Sequence, residues 1–226
     1  MKILFLIATL FSLSLISCEE QKIIKKEQTE NKIVSEVQDV YVLIGEKNFL
    51  TGYEPIHSDG DINVVVEIPT GSIDKWEVNK ETGNMNWVFR NDEPRRIKYL
   101  GYPGNYGMIP RTLLPKELGG DGDPIDVIVL GAPVERGSVV KAKLIGVLKL
   151  LDNGEQDDKL IAVMEGTPFY KVNTLTELDL QFNGASQIVE IFFSNYKGKG
   201  KMESLGFQDE KEAKRVLAYS IEEYDK

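Results

Sequence analysis

The sequence predicts an α+β fold in which a sheet of short strands is followed by two C-terminal helices. About six apolar runs before residue 164 have the length and the turn-forming boundaries of strands, whereas the apolar residues after residue 187 recur at helical spacing. Strands grouped ahead of helices are typical of α+β proteins, and a closed barrel is the sheet form that leaves no exposed edge. With 226 residues, of which 42% are hydrophobic, the chain can bury one sizeable core.

The predicted strands are apolar or alternating runs bounded by glycine, proline, asparagine or aspartate. The run at 62–68 is the strongest, and it carries Glu67 near its end, which indicates either an edge strand or a functional residue. The runs at 75–78 and 85–90 form a predicted hairpin around the Thr82-Gly83-Asn84 turn. In chain order, the predicted strands are 62–68, 75–78, 85–90, 127–130, 139–151 and 160–163, with 41–44 as a possible strand ahead of them.

Two helices are predicted near the C-terminus. In the first helix, Ile188, Ile191 and Phe192 share one face, which we expect to be buried. The second helix begins near Asp209, a typical N-cap residue with Glu212 three residues later. Its buried face is predicted to consist of Ala213, Val216, Leu217 and Ile221.

The first 17 residues have the features of a secretory signal. Lys2 precedes an apolar run, residues 3–16, that is too short to span a membrane. Leu15-Ile16-Ser17-Cys18 resembles a bacterial lipobox, in which the cysteine becomes the acylated first residue of the mature protein. Residues 18–40 are rich in Glu, Lys and Gln and predict a flexible tether that reaches on the order of 25 Å. We therefore expect a folded domain at 41–226 that is lipid-anchored to a bacterial membrane, outside the cytoplasm in the cell envelope.

Charge and cysteine content exclude some functions and bonds. The formal net charge is −9, and removal of Lys2 with the signal makes it one unit more negative. This negative charge opposes nonspecific nucleic-acid binding. Cys18 is the only cysteine, so no intrachain disulfide can form.

The strongest candidate site is Asp121-Gly122-Asp123-Pro124-Ile125-Asp126, which places three carboxylates within six residues. In an extended segment its first two aspartates point to the same side about 7 Å apart, and the bend at the proline can bring the third toward them. Such close carboxylates repel one another unless cations lie between them, and a rigid set of oxygen ligands suits Mg²⁺ better than Ca²⁺. The alternative is a solvated turn, but residues 127–130 predict a buried strand directly after it, which favours a functional site.

Other charged and phenolic residues lie where predicted strands begin or end. Asp152 follows a long apolar run, and Asp157 and Lys159 precede the next one. Tyr102 and Tyr106 are four residues apart in a loop, where they could cap the core or donate hydrogen bonds to phosphate. Taken alone, core packing is the better explanation for the two tyrosines.

Together these residues resemble the soluble family I inorganic pyrophosphatases, from about residue 64 to residue 219. The central hexapeptide followed by an aliphatic strand is the signature of that family. The other matching stretches are Val66-Glu67-Ile68-Pro69, Lys75-Trp76-Glu77, Tyr102-Pro103-Gly104-Asn105-Tyr106-Gly107, Gly146-Val147-Leu148 to Asp152, Asp157-Asp158-Lys159-Leu160 and Tyr196-Lys197. The resemblance implies a five-stranded, OB-like closed β-barrel flanked by C-terminal helices, and hydrolysis of pyrophosphate to two phosphates by a metal-activated water with several Mg²⁺ ions.

The resemblance also implies a role for each matching residue. Asp123 would be the general base acting on the attacking water, and Glu77 would order water near the metals. Tyr102 and Tyr106 would line the catalytic site. The implied metal ligands are Glu67, Asp121, Asp126, Asp152 and Asp157, with Asp126 bridging two ions. The implied phosphate-binding residues are Lys75, Arg90, Lys159, Tyr196 and Lys197.

Three arginines are candidates for the phosphate-binding position. The segment ahead of the tyrosine motif is longer than in compact bacterial members of the family, so Arg90, Arg95 and Arg96 all fit the order of motifs. The Val88-Phe89-Arg90-Asn91 context resembles the longer, eukaryotic-like members and favours Arg90. The other two belong to the basic patch at 94–98, which taken alone predicts solvated surface.

Rival functions fit the sequence less well. An EF-hand loop starting at Asp121 would need an oxygen ligand at position 125 and glutamate at 132, where the chain has Ile125 and Ala132. A nucleic-acid-binding barrel would need a basic groove studded with aromatic residues, whereas this chain is acidic. A manganese phosphohydrolase with histidine ligands is excluded because His57 is the only histidine. An inactive relative of the pyrophosphatases is the last alternative, although every matched acid and base is present.

The expected partners follow from the same resemblance. They are pyrophosphate as the substrate, the membrane through the N-terminal lipid only, and further copies of the chain. Compact bacterial relatives are often hexamers and longer relatives are dimers, so both oligomeric states stay open.

Overall fold

The computed structural model describes residues 40–115, 120 and 122–226. The predicted signal segment, Cys18, most of the predicted tether and Asp121 lie outside the described residues. The chain divides into two units, residues 1–42 and 43–226. The second unit contains the main sheet, the C-terminal helices and the candidate site.

The described elements begin with strands and end with helices, with one strand between the last two helices. The strands are β1 Val42–Leu43, β2 Ile62–Ile68, β3 Trp76–Val78, β4 Met85–Trp87, β5 Phe89–Arg90, β6 Glu93–Pro94, β7 Asn105–Met108, β8 Asp126–Leu130, β9 Val139–Asp152, β10 Glu155–Gln156, β11 Lys159–Met164 and β12 Met202–Gln208. The helices are a 3₁₀ turn Pro168–Lys171, α1 Leu175–Gln181, α2 Ala185–Asn195 and α3 Glu210–Tyr224. The predicted α+β class is confirmed.

The main sheet is built around the long strand β9. Its strand order is β10-β9-β11-β8-β7-β2, with β12 also paired to β9. The first residues of β9 pair with β2, its middle pairs with β11, and its last residues pair with β12. The hydrogen-bonded path from β9 through β11, β8, β7 and β2 therefore returns to β9. Only the β8–β11 pair among these is parallel.

Strand β8 shows why the central strands read as unbroken apolar runs. Val127 and Val129 belong to a core cluster that includes residues of α3, whereas Ile128 and Leu130 belong to a second cluster with residues of α2. Successive side chains of a strand point to opposite faces, so a strand with helices on both sides needs apolar residues at every position. The two helices therefore cover both faces of this strand.

The last helix agrees with its prediction in detail. The Asp209 carboxylate accepts hydrogen bonds from the backbone N–H groups of Lys211 and Glu212, which makes Asp209 the N-cap. The buried residues of α3 include Ala213, Val216 and Leu217, and Ile221 packs against the same cluster while partly buried. The helix therefore begins where the sequence predicts.

The predicted buried face of α2 is partly wrong. Ile188 and Ile191 are 59% and 58% exposed, whereas Val189, Phe192 and Phe193 are buried. Because apolar residues lie all around this helix, its spacing does not identify one face. The two phenylalanines decide the orientation, since they bury more apolar area than isoleucine and pack against Tyr102 at centroid distances of 4.9 and 6.2 Å.

The sequence also missed several short elements. Helix α1, strands β7, β10 and β12 and the small β5–β6 hairpin were not predicted. The expectation that Tyr106 lies in a loop is wrong, because residues 105–108 form strand β7 between β2 and β8. Strand β12 contains Gly206 with a φ of +83° and a register shift beside it, so its pattern does not alternate cleanly. Within the described residues, no helix has both the length and the apolar character needed to span a membrane.

Gly107 tests the packing between β7 and β2. A β-carbon at this position would lie 1.9 Å from the backbone oxygen of Val65, so the two strands would have to separate. We expect Gly107→Ala to lower the free energy of unfolding by about 3 kcal/mol or more, measured by urea denaturation. As a control, Gly60→Asn has open space around it and introduces only the strain of its φ of +92°, which asparagine adopts more readily than most residues. Equal stability of the two variants would contradict the close strand contact.

Candidate active site

The candidate site is a cavity of about 460 Å³ at one end of the main sheet. Residues from the end of β2, the β3–β4 hairpin, the start of β8, the end of β9, the start of β11 and the end of α2 line it. The predicted site residues in its lining are Glu67, Lys75, Glu77, Tyr106, Asp123, Asp126, Asp152, Asp157, Lys159, Tyr196 and Lys197. Most of the predicted site is therefore brought together in one place.

Strand pairing explains why three of the aspartates meet. In the parallel pair β8–β11, Val127 is level with Leu160, so the starts of both strands lie at the same end of the sheet. Strand β9 runs antiparallel to β11, so its final residue, Asp152, reaches that same end. Asp126 begins β8, and Asp157 lies two residues before β11. The three carboxylates therefore converge although they are far apart in sequence.

Two lysine ammonium groups lie between these carboxylates. The Lys159 Nζ contacts both Asp126 and Asp157, and Lys159 is only 1% exposed. The Lys197 Nζ lies 2.6 Å from Asp152 Oδ2 and 3.4 Å from Asp157 Oδ2. The four carboxylate contacts join the ends of three strands to the residue pair that follows α2.

The ion pairs overcome the effect of burial on both partners. Burial alone would raise the pKa of Asp157, but Lys159 and Lys197 hold it below its ordinary value. Burial alone would lower the pKa of Lys159, but Asp126 and Asp157 raise it above its ordinary value. Asp157 and Lys159 are therefore both charged at neutral pH, in contrast to an isolated buried carboxyl or amine.

Glu67 is the exception among the acids. It is 5% exposed, and its Oε1 accepts a hydrogen bond of 2.7 Å from the Val78 backbone N–H. Burial raises the pKa of Glu67 to about 8, although Lys75 opposes the shift. The negative charge of Asp126 raises the pKa further. A cation bound beside this carboxyl would favour its ionised form.

The β3 strand presents a second ion pair to the cavity. The Lys75 Nζ lies 3.0 Å from Glu77 Oε1, as expected for two residues that share one face of a strand. The Lys75 Nζ also lies 5.1 Å from the centroid of the Tyr106 ring. Both charged side chains therefore reach the cavity from the hairpin.

Tyr102 and Tyr106 differ in position, Tyr102 preceding strand β7 and Tyr106 lying within it. Tyr106 lines the cavity, whereas Tyr102 lies behind it, 1% exposed, with ring centroids 4.9 Å apart. Burial raises the pKa of both phenols, so both keep their protons at neutral pH. The buried Tyr102 hydroxyl has no hydrogen-bond partner among the described residues. Tyr102 therefore packs in the core, whereas Tyr106 also contributes to the cavity wall.

Asp123 lines the cavity with a half-exposed side chain. Its side chain is 50% exposed, and the Lys80 ammonium group contacts its carboxylate and lies 3.0 Å from the Gly122 carbonyl oxygen. Lys80 comes from the turn between β3 and β4 and was not predicted as a site residue. No sequence signal identifies it, because the contact joins residues that are 43 positions apart.

The structure places Arg95, rather than Arg90, in the cavity lining. Arg90 is exposed on the short β5–β6 hairpin, where it lies opposite Glu93 in the register of the two strands. The Arg95 N–H donates to the Val88 oxygen at 2.7 Å, so the chain leaves the main hairpin after Val88 and returns to it at Arg95. The sequence-based preference for Arg90 therefore differs from the structure, because spacing alone does not reveal this extra hairpin.

The donor set fits hard cations. Among the described residues, the lining contains seven acidic and five basic side chains, and its metal-ligating side chains offer only oxygen. No three acidic, histidine or cysteine side chains of the described residues are grouped closely enough to hold one ion. The lysine ammonium groups described above lie among the carboxylates. Carboxyl oxygens on both sides of Lys159, together with the raised pKa of Glu67, nevertheless fit a site that cations would neutralise.

Comparison with known proteins identifies the family. Residues 64–225 match the profile of the inorganic pyrophosphatase family. The chain is 40% identical over 170 residues to soluble inorganic pyrophosphatase 2 of Chlamydomonas reinhardtii, covering 72% of this chain and 80% of that protein. It is 35% identical to the inorganic pyrophosphatase of Corynebacterium efficiens, covering 72% of this chain and 98% of that protein. The crystal structure of an inorganic pyrophosphatase from Neisseria gonorrhoeae superposes with a TM-score of 0.63 at 34% identity, covering 78% of this chain and 97% of that one. This chain therefore belongs to the inorganic pyrophosphatase family, the metal-dependent hydrolases that split pyrophosphate into two phosphates.

Proposed function

We propose that the chain hydrolyses pyrophosphate in the cavity at the end of the main sheet, with several Mg²⁺ ions bound there. The observation that carries this proposal is the convergence of Asp126, Asp152 and Asp157 around Lys159 and Lys197. The residues that would hold the ions are Glu67, Asp126, Asp152 and Asp157, together with Asp121, which lies outside the described residues. When bound, Mg²⁺ would neutralise negative charge and make water a better nucleophile at neutral pH.

Charge explains why both acids and bases are needed. Pyrophosphate carries about three to four negative charges, and two unit charges 4 Å apart interact by about 1 kcal/mol even in water. A cavity with an excess of acidic side chains would repel such a substrate without added cations. Lys75, Arg95 and Lys197 bring positive charge to the same cavity and would bind phosphate oxygens. Lys159 and Tyr196 would donate to the same anion.

Asp123 is the residue best placed to accept a proton. It lies in the cavity lining, and its side chain is 50% exposed to water. Glu77, paired with Lys75 in the same lining, would accept hydrogen bonds from ordered water. The protonated phenol of Tyr106 would donate a hydrogen bond toward the substrate, and Tyr102 would support the Tyr106 ring from behind the cavity.

We also propose finer assignments of fold and assembly. The ring of strand pairings through β9, β11, β8, β7 and β2 supports the five-stranded, OB-like closed barrel that the sequence resemblance implies. Self-association of the chain stays a prediction from the same resemblance, to be measured by sedimentation.

Asp123→Asn tests the proposed base. The amide cannot accept the proton of the attacking water, so we expect turnover to fall about 10²- to 10⁴-fold, while Mg²⁺ binding changes little. Phosphate release from pyrophosphate measures turnover, and calorimetric titration measures Mg²⁺ affinity. Wild-type protein in EDTA provides the control, and it should release no phosphate. Near-native turnover of the variant would remove Asp123 from the mechanism.

Arg95→Ala and Arg90→Ala form a matched pair that tests the phosphate-binding arginine. Hydrogen bonds to charged groups contribute about 1.5–3 kcal/mol, so loss of Arg95 should raise the KM for pyrophosphate by about 10- to 150-fold. Arg90 lies outside the cavity lining, and its replacement should change KM less than about twofold. The reverse result would restore the assignment that sequence context favours.

Cys18→Ala tests the proposed location at a bacterial membrane. The proposal is supported by Lys2, the apolar run after it and Leu15-Ile16-Ser17-Cys18. Each buried acyl methylene contributes about 0.8 kcal/mol, so two or more chains would anchor the protein firmly. We expect wild-type protein in the extracytoplasmic membrane fraction, and the variant in the soluble fraction or as an uncleaved precursor with unchanged specific activity. Wild-type protein that is cytoplasmic and soluble with Met1 intact would overturn the proposal.

A further inference from the structure

Four side chains form a continuous series of ring and guanidinium contacts beside the cavity. The Arg136 guanidinium lies 4.5 Å from the centroid of the Trp76 ring. The Trp76 and Trp87 rings stack with centroids 5.4 Å apart and an interplanar angle of 27°. The Arg96 guanidinium lies 4.9 Å from the Trp87 ring. We call this series the Arg–Trp stack. Its two tryptophans lie on strands β3 and β4, the hairpin that carries Lys75 and Glu77 into the cavity, whereas its two arginines come from the segments after β6 and before β9.

Both ends of the Arg–Trp stack are fixed to neighbouring segments. The Arg136 Nε donates to the Glu67 carbonyl oxygen at 2.9 Å, which ties one end to strand β2. The Arg96 Nε donates to the Asp74 carboxylate at 2.9 Å, which ties the other end to the residue before Lys75. The stack therefore connects backbone segments that carry candidate site residues, without itself providing a group that the proposed reaction uses.

Trp87 makes one additional contact, with the backbone of the cavity-lining residue Arg95. Its indole N–H donates to the Arg95 carbonyl oxygen at 3.0 Å. The same oxygen accepts from the Lys75 backbone N–H at 3.0 Å, and the Arg95 N–H donates to Val88 at 2.7 Å. Three hydrogen bonds thus fix the backbone from which the Arg95 side chain enters the cavity lining.

Trp76 lies in the same stack but lacks the hydrogen bond that Trp87 makes. Its ring takes part in the same stack and is 5% exposed, but its buried indole N–H has no hydrogen-bond partner among the described residues. Replacing either tryptophan by phenylalanine removes an indole from the stack. Only the replacement of Trp87 removes a hydrogen bond to Arg95.

We propose that Trp87 is a positioning residue for Arg95, holding its backbone so that the guanidinium meets phosphate. The need for such a residue follows from the chain path, since Arg95 directly follows the β5–β6 hairpin, which has only two paired positions on each strand. A side chain entering from so short a hairpin would otherwise lose binding free energy to its own ordering. This inference rests on the proposed role of Arg95 in phosphate binding.

The test compares Trp87→Phe, Trp76→Phe, Arg95→Ala and the double variant Trp87→Phe/Arg95→Ala. We expect Trp87→Phe to raise the KM for pyrophosphate about three- to tenfold, with Trp76→Phe within about twofold of wild type. In the Arg95→Ala background, Trp87→Phe should have no further effect, because residues that act as one unit are not additive. Thermal melting of each variant separates loss of stability from loss of positioning.

A binding measurement complements the kinetics. The chain has two tryptophans, and both belong to the Arg–Trp stack, so tryptophan emission reports only on this hairpin. Titration with inorganic phosphate in the presence of Mg²⁺ should change the emission of wild-type protein. Its dissociation constant should rise for Trp87→Phe in the same proportion as KM.

The outcomes distinguish a wrong role for Arg95 from a wrong role for Trp87. If Arg95→Ala keeps wild-type KM and phosphate affinity, the role of Arg95 is wrong and the inference fails with it. If Arg95→Ala binds poorly but Trp87→Phe behaves like Trp76→Phe, only the positioning role of Trp87 is overturned. An equal loss from Trp87→Phe in both backgrounds would also overturn it, since the effect would then not pass through Arg95.

Discussion

The site depends above all on the neutralisation of Asp126 and Asp157 by the buried ammonium group of Lys159. A charge that is removed from water is costly unless it is paired, and breaking one partner of a buried pair leaves the other uncompensated. Lys159 is 1% exposed, so its pairing is the condition under which it can lie at the start of a core strand at all. The same condition holds the two aspartates close together, although like charges alone would separate them.

Strand register determines whether this pairing can form. Asp157 and Lys159 reach the cavity, whereas the carboxylate of Asp158 between them is hydrogen-bonded elsewhere, to Lys149 at 2.7 Å and Gln156 at 2.7 Å. A shift of one residue would exchange these faces and would also turn the apolar side chains of β8 and β11 toward the wrong helices. The hydrophobic core and the charged site are therefore specified by the same alternation, and neither can change register alone.

Sequence reasoning succeeded where one regular pattern decides the structure. The strands β2, β8, β9 and β11 are apolar runs, and charged residues at their ends could be assigned to one site because strand ends meet at a sheet edge. It failed where the outcome depends on contacts between distant segments. Lys80 approaches Asp123 across two loops, and the extra β5–β6 hairpin moves Arg90 out of the lining while returning Arg95 to it. The predicted buried face of helix α2 was partly wrong for a third reason. Apolar residues lie on all sides of this helix, so the larger side chains decide which face is buried.

The lysines that stabilise the acidic cluster are also those proposed to bind phosphate, and this double use has a physical consequence. A cation held by Asp126 and Asp157 would supply the positive charge that Lys159 supplies in the structure, and a cation near Asp152 would do the same for Lys197. Each lysine ammonium group could then contact a phosphate oxygen, while the buried carboxylate stays paired with the metal cation. Metal binding therefore favours substrate binding, because the metal cation takes over the pairing of the carboxylates and leaves the lysine charges for the phosphate oxygens. An excess of carboxylates in a pocket for a polyanion is therefore consistent with the reaction, provided that basic side chains and carboxylates alternate as they do between β8, β11 and the residues after α2.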